Sequence, residues 1–147
     1  MDMMFTANRA VRLGLACLVT TSGAVAGMSL STATASAEDF LHHVTYTVTS
    51  EQPNNADIYY RDTEPANFAD YSHNPYLYSP RIEADLGPGK SWVLDVMLAN
   101  PDDWAMVAAT SGWSSETPQI HCELKVDGVV VKTNNGPKGA LCSIRNW

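Results

Sequence analysis

The sequence predicts an all-β fold: an immunoglobulin-like antiparallel β-sandwich of seven to eight strands, preceded by an N-terminal signal segment. Three observations lead to this class. After residue 37 no stretch sustains helical periodicity, and short alternating apolar and polar runs separated by turn residues recur instead. With 147 residues in total, residues 38–147 have the length of a single sandwich domain.

The first 37 residues are predicted to form a secretory signal peptide. Arg9 and Arg12 give a basic start, Leu13–Leu30 carries no charge, and Ala35-Ser36-Ala37 matches the small-residue pattern of a cleavage site. The alternative is a retained membrane anchor, although glycine, serine and threonine dilute the apolar stretch. We therefore expect an exported protein, either secreted or associated with the cell envelope, or else anchored by an uncleaved N-terminal helix.

The first strands and the segment after them are distinct in character. Val44–Thr49 alternates strictly, and Ala56–Arg61 has the pattern of a second strand. Asp62–Pro80, which we call the excursion, holds three prolines and four aromatic residues, with a short helical turn predicted near Ala66–Asp70. Connections longer than about 12–15 residues are uncommon and are often functional.

The middle of the chain gives three further strands. Arg81–Asp85 is a short strand before a glycine-proline turn, and Trp92–Ala99 is a strong strand with alternating apolar residues. Trp104–Thr110 is apolar on both faces, which predicts a central position in its sheet. Asp102 and Asp103 lie beside Asn100-Pro101 and are interpreted as turn formers.

Asp127-Gly128 between apolar runs predicts a two-residue β-hairpin. The register that follows places apolar pairs on one face and an opposite-charge pair on the other. It pairs Val126 with Val129, Leu124 with Val131, and Glu123 with Lys132.

Cys122 and Cys142 are predicted to form a disulfide. They are the two cysteines left once the signal peptide is removed, both are expected to face the core, and export favours oxidation. The competing interpretation, with His121 as base and Cys122 as thiol nucleophile, is much weaker in an oxidising compartment.

No catalytic residue, metal site or cofactor is predicted. His42 and His43 are adjacent, so on a strand they point to opposite faces and cannot chelate one metal; no zinc-like spacing includes His73 or His121. A formal net charge of -7 with nine basic residues also argues against nucleic acid as a partner.

Tyr71, Tyr76 and Tyr78 in the excursion are the candidate binding residues. Tyrosine combines apolar area with a polar tip and is enriched at interfaces. The alternative is that these rings fold back and cover one end of the sandwich core.

Several segments in order resemble the MmpS family of small mycobacterial envelope proteins. These are a V-T-Y strand, an A-D-x-Y-Y strand, a cysteine before a V-D-G hairpin, and a closing A-L-C segment. They correspond to Val44–Thr49, Ala56–Tyr60, Ile120–Val130 and Ala140–Cys142.

The resemblance implies a non-enzymatic extracytoplasmic accessory or binding module that assists MmpL-type export of lipids or siderophores. The implied partners are a large multi-pass envelope transporter or an amphipathic, lipid-like ligand. The alternatives are a freely secreted binding or antigen-like protein with no transporter partner, and a secreted hydrolase-type enzyme, for which we find no nucleophile, base and oxyanion set.

Overall fold

A computed structural model describes residues 40–113 and 115–146, so the predicted signal segment lies outside the described residues. The described residues form eight strands in two four-stranded sheets, in which every strand pairing is antiparallel. The strands are β1 (His42–Ser50), β2 (Asn54–Tyr60), β3 (Arg81–Leu86), β4 (Trp92–Leu98), β5 (Met106–Thr110), β6 (Ile120–Val126), β7 (Val129–Gly136) and β8 (Gly139–Ser143). The predicted β-sandwich of seven to eight strands is confirmed.

The strand order is β4-β1-β6-β7 in the first sheet and β3-β2-β5-β8 in the second. Alternate residues of β1, β2, β5 and β6 face the space between the sheets and are buried there. Val44, Tyr46 and Val48 of β1 are fully buried, whereas the threonines between them are partly exposed, as the alternation predicted. β5 lies between β2 and β8, in agreement with its predicted central position.

Three short helical segments interrupt the strands. The helix α1 (Phe68–His73) and a 3₁₀ helix (Pro75–Tyr78) lie in the excursion, and α2 (Pro101–Trp104) joins β4 to β5. The predicted turn near Ala66–Asp70 is shifted because Asn67 is the N-cap and accepts a hydrogen bond from the Asp70 N–H. Trp104 belongs to α2 and not to the strand predicted from Trp104 onward, since Pro101 starts a helical turn there.

The hairpin between β6 and β7 has the predicted turn but not the predicted register. Asp127 and Gly128 both have positive φ, 50° and 80°, as a type I′ turn requires, and Val126 pairs with Val129. A β-bulge between Leu124 and Lys125 then shifts the ladder by one residue. The predicted pairs of Leu124 with Val131 and of Glu123 with Lys132 are therefore wrong. The observed pairs are Leu124 with Lys132 and Glu123 with Thr133.

Cys122 and Cys142 lie at disulfide distance, with their sulfur atoms 2.08 Å apart. Cys122 is in β6 of the first sheet and Cys142 is in β8 of the second, so the bridge joins the two sheets across the core. Both residues are fully buried. The inward orientation that the alternation gave to each cysteine is what brings the two sulfur atoms together.

The corner between β7 and β8 depends on glycine. A Cβ at Gly139 would lie 2.7 Å from the carbonyl oxygen of Ala109, and a Cβ at Gly136 would collide with the carbonyl oxygen of Gly139. The side-chain amide of Asn134 also donates to the Leu141 carbonyl oxygen across this corner. The two sheets are thus closed along the β7–β8 side.

In the described part of the chain, no helix is both long enough and apolar enough to cross a lipid bilayer.

Candidate functional site

The excursion is attached to one end of the sandwich by its own two ends and by a contact in between. The Tyr60 N–H donates to the Pro80 carbonyl, which closes the base of the segment. The Asn100 N–H donates to a carboxylate oxygen of Glu64 at 2.6 Å, and Pro65 is buried. These contacts hold a stretch that the sequence marks only as a long, proline-rich connection.

The inner side of the excursion carries a layered arrangement of arginines and aromatic rings, which we call the arginine–aromatic cap: Arg61, Phe68, Tyr71, Trp104 and Arg145. The Arg61 guanidinium carbon lies 4.7 Å from the centroid of the Tyr71 ring and 5.7 Å from that of Trp104. The Arg145 guanidinium carbon lies 5.1 Å from the Phe68 ring and 5.8 Å from Trp104. At these distances cation–π attraction operates in addition to packing.

Arg61 is fully buried, which is unusual for an arginine. Its Nε–H donates to the Trp104 carbonyl, its backbone N–H donates to the Met106 carbonyl, and its carbonyl accepts from the Tyr46 hydroxyl. Burial raises the pKa of the Tyr46 hydroxyl well above its ordinary value. Because these contacts reach from β1 to α2 and β5, Arg61 and Trp104 belong to the core of this end of the sandwich, whereas Phe68 of the cap is 53% exposed.

The outer side of the excursion is different, because it exposes apolar residues to solvent. Tyr76 is 82% exposed and Leu77 is 65% exposed, and both belong to the 3₁₀ helix. Pro75 starts that helix, and hydrogen bonds from the Leu77 N–H to the Asn74 carbonyl and from the Ser79 N–H to the Tyr76 carbonyl hold its turns. Tyr76 and Leu77, which we call the exposed tip, therefore lie on an ordered turn that begins with a proline.

The structure separates the three tyrosines that the sequence grouped together. Tyr71 is partly buried with its ring against Arg61 and Trp104, Tyr78 is partly buried, and Tyr76 projects outward. Tyr71 thus occupies the covering position that was the alternative for all three, while Tyr76 has the exposure that a binding contact needs. Nothing in the structure tests the binding role itself, which stays a prediction.

Sequence reasoning missed Arg61, Trp104 and Arg145 as members of this end of the molecule. Arg61 follows Ala56, Ile58 and Tyr60, so strict alternation places it on the outer face; it is inward because the strand ends at Tyr60. One signal of this arrangement was present in the sequence. Arg61 is a charged residue at the last position of the predicted strand, and a segment rich in aromatic residues follows it.

A polar cavity of about 390 Å³ lies beside the excursion end, where His42, Asn100 and Asp127 line it with α2 residues. His42 Nδ1 lies 2.7 Å from a carboxylate oxygen of Asp127, and the His43 N–H donates to the other oxygen. These hydrogen bonds lower the pKa of the Asp127 carboxyl, that from His42 most. Within the described residues, no group of three or more histidine, cysteine or acidic side chains is arranged to hold a metal.

A second cavity, of about 430 Å³, lies at the opposite end of the sandwich beside the turn that joins β3 to β4. Its two charged residues neutralise each other, since the Lys90 ammonium lies 3.3 Å from the Asp85 carboxylate. The side-chain amide of Asn54 also lines it, but both of its polar atoms are buried from solvent. This cavity therefore presents few polar groups that a ligand could reach.

The fold and the exposed tip define a class: a small β-sandwich module whose sheets are joined by a cysteine pair and whose longest connection forms one end. Residues 46–142 match the family model of the Rv2576c beta-sandwich domain, and the chain belongs to that family. Relatives include the uncharacterized protein Rv2576c of Mycobacterium tuberculosis and the uncharacterized protein Mb2606c of Mycobacterium bovis. Each is 37% identical to this chain over 130 residues, which covers 88% of this chain and 83% of the relative.

This family membership corrects the resemblance to the MmpS family, which is wrong: the matching family is the Rv2576c domain. The segments that suggested MmpS are an alternating first strand, an Asp-Gly hairpin and core-facing cysteines. β-Sandwiches of different families share these features. Alternation buries one face of a strand, an Asp-Gly turn closes a hairpin, and a disulfide joins strands in the core, whatever the family.

Proposed function

We propose that this chain is an exported, non-enzymatic binding module of the cell envelope that takes an amphipathic, lipid-like ligand on the outer side of the excursion. The observation that carries the proposal is the exposure of Tyr76 and Leu77 on a turn that directly follows α1, whose Phe68 and Tyr71 rings contact the arginines of the arginine–aromatic cap. The expectation of a multi-pass transporter partner rested on the MmpS resemblance and is not part of this proposal.

The cysteine pair supports the export half of the proposal. Disulfides persist in oxidising compartments and are rare in the cytosol, and this one joins the two sheets in the core. The sequence of the first 37 residues has the order of basic, apolar and small segments that directs secretion.

The charge distribution favours apolar contact over charge recognition. The chain is acidic, with a formal net charge of -7; Arg61 and Arg145 contact aromatic rings, and Arg81, which directly follows the excursion, forms ion pairs with Asp57 and Glu83. Exposed acidic residues, Asp62, Asp70, Asp102 and Asp103, belong to the same end or its neighbouring helix. A neutral or zwitterionic amphiphile fits this surface better than an anionic one.

A titration with monomeric lysophosphatidylcholine tests the proposal. Exported, oxidised protein labelled with ¹⁵N should show chemical-shift changes that centre on residues 74–78. Tyr76→Ser and Leu77→Ser should each weaken binding by about tenfold, since each removes a large apolar contact. Val130→Ser, which truncates an exposed valine of β7, is the matched control and should bind normally. Unchanged affinity in both excursion variants, or shifts confined to another surface, would refute the proposed site.

The N-terminus of the exported protein tests its location. A mature start at Glu38 in the culture medium indicates a released binding protein, and an intact Met1 in the membrane fraction indicates an anchored one. Recovery of the oxidised protein from the cytosol would contradict the proposal of export.

A further inference from the structure

The strand β4 lies at one edge of the first sheet. Within the described residues it pairs with β1 and with no other strand, so one side of its backbone is left without a partner strand. Its sequence, Trp92 to Leu98, contains no proline, glycine or lysine, and Asp95 is its one charged residue. Such an edge is a template for another strand, and proteins usually block it.

The other three edges among the described strands are blocked. β3 carries the ion pairs of Arg81 with Asp57 and Glu83. β7 contains the bulge opposite Leu124 and carries the exposed Lys132. β8 has five residues and is tied to β7 by the side chain of Asn134. β4 is the exception.

Apolar side chains are available on both faces of β4. On the outer face Val93 is 52% exposed and Met97 is 50% exposed. On the inner face Trp92, Leu94 and Val96 pack against the core but are only partly buried. A strand added beside β4 would therefore have apolar neighbours on both faces of the sheet. A strand that is itself apolar on both faces fits this edge best, because its side chains would pack against those neighbours.

We infer that β4 pairs antiparallel with β4 of a second copy of this chain, across a two-fold axis at Leu94. β4 meets the requirement of an apolar partner on both faces, and a two-fold axis makes the contact self-complementary. An axis at Asp95 would place two carboxylates directly opposite each other, which is unfavourable. An axis at Leu94 instead sets Asp95 opposite Val93 and Trp92 opposite Val96, an aromatic and β-branched pair.

The charge of Asp95 does not oppose this arrangement. Its carboxylate already accepts a 2.6 Å hydrogen bond from the Thr45 hydroxyl, and His43 Nε2 lies 3.2 Å away within the same chain. The pairing therefore needs no basic residue from the second copy. It joins the two β4-containing sheets into one continuous sheet of eight strands.

Sedimentation velocity and light scattering of the exported, oxidised protein, from micromolar to millimolar concentration, test the inference. The wild-type chain should reach the mass of two copies. Val93→Asp places like charges opposite Asp95 twice and should raise the dimer dissociation constant by about tenfold or more, whereas Val93→Lys places opposite charges there and should keep the dimer. Val130→Asp on β7 is the matched control and should leave it unchanged.

Val93 is half exposed in a single chain, so both substitutions are expected to fold, which circular dichroism checks. A wild-type protein with the mass of one chain at every concentration would overturn the inference. So would a dimer that Val93→Asp leaves intact, or one that both Val93 variants dissociate, because neither result fits an axis at Leu94.

Discussion

The Tyr46 hydroxyl donates a 2.8 Å hydrogen bond to the carbonyl oxygen of Arg61, which ties the buried middle of β1 to the residue that leads into the excursion. The same hydroxyl oxygen lies 3.4 Å from the donating N–H of Met106. One phenol therefore satisfies main-chain groups from two connections at the same end of the sandwich.

Tyr46→Phe should destabilise the protein by about 1–3 kcal/mol, because it leaves a buried carbonyl without its donor while keeping the ring. Urea unfolding monitored by fluorescence measures the loss. Tyr76→Phe removes a hydroxyl from an exposed ring and is the control. Equal stability of Tyr46→Phe and the wild type would show that the hydrogen bond contributes nothing net.

Replacing both Cys122 and Cys142 by Ala should lower the free energy of unfolding by about 3 kcal/mol, from the closure of a loop with a sequence separation of 20. A reducing agent should destabilise the wild type by a similar amount and leave the double variant unchanged. Intact-mass analysis of exported protein should give two hydrogens fewer than the reduced formula; two titratable thiols per chain would contradict the bridge.

Tyr71→Ser and Tyr76→Ser should differ in their effect on the free energy of unfolding. Tyr71→Ser removes ring contacts with Arg61 and Trp104 and should cost about 1–3 kcal/mol of stability. Tyr76→Ser should change stability by less than about 0.5 kcal/mol, as expected for an exposed side chain. Thermal unfolding compares the two, and equal losses would place Tyr76 in the core.

Asp127→Asn should make the protein less stable at neutral pH, with the difference from the wild type fading in acid. The pKa of Asp127 is lowered by its hydrogen bonds to His42 and the His43 N–H, so the folded state favours the carboxylate. This stabilisation is present above the ordinary carboxyl pKa and is lost as the pH falls through the lower folded value. Asparagine also suits the positive φ at this turn position, so the backbone should be kept.

Thermal unfolding at a series of pH values from neutral to acid measures this difference. Exposed Glu51→Gln is the control. A difference that stays constant into strong acid would mean that the Asp127 contacts act through shape and not through charge.

The elements that could be predicted are those in which a local pattern has one structural solution. Alternation in β1 buries Val44 and Val48 in any register that buries a face, and Asp127-Gly128 fits a type I′ turn whatever lies beyond it. The inward positions of Cys122 and Cys142 follow from the same alternation. These features depend on neighbours within a few residues.

The features that were missed have separate causes, two of them local and one distant. The bulge in β7 was not visible because three consecutive valines, Val129–Val131, allow either register. The division between Tyr71 and Tyr76 depends on where α1 starts, and Asn67 decides that by capping it. The burial of Arg61 depends on Trp104, which is 43 residues away. No local pattern records such a partner.

The bridge between Cys122 and Cys142 also changes what proteolysis can release. Lys132 and Lys138 lie between the two cysteines, on exposed positions of β7 and of the β7–β8 corner. A protease that cuts after either lysine would leave a nicked molecule whose C-terminal fragment, with β8 in its sheet, stays covalently attached. Such processing would be invisible on a non-reducing gel, and two fragments would separate only after the thiols are freed.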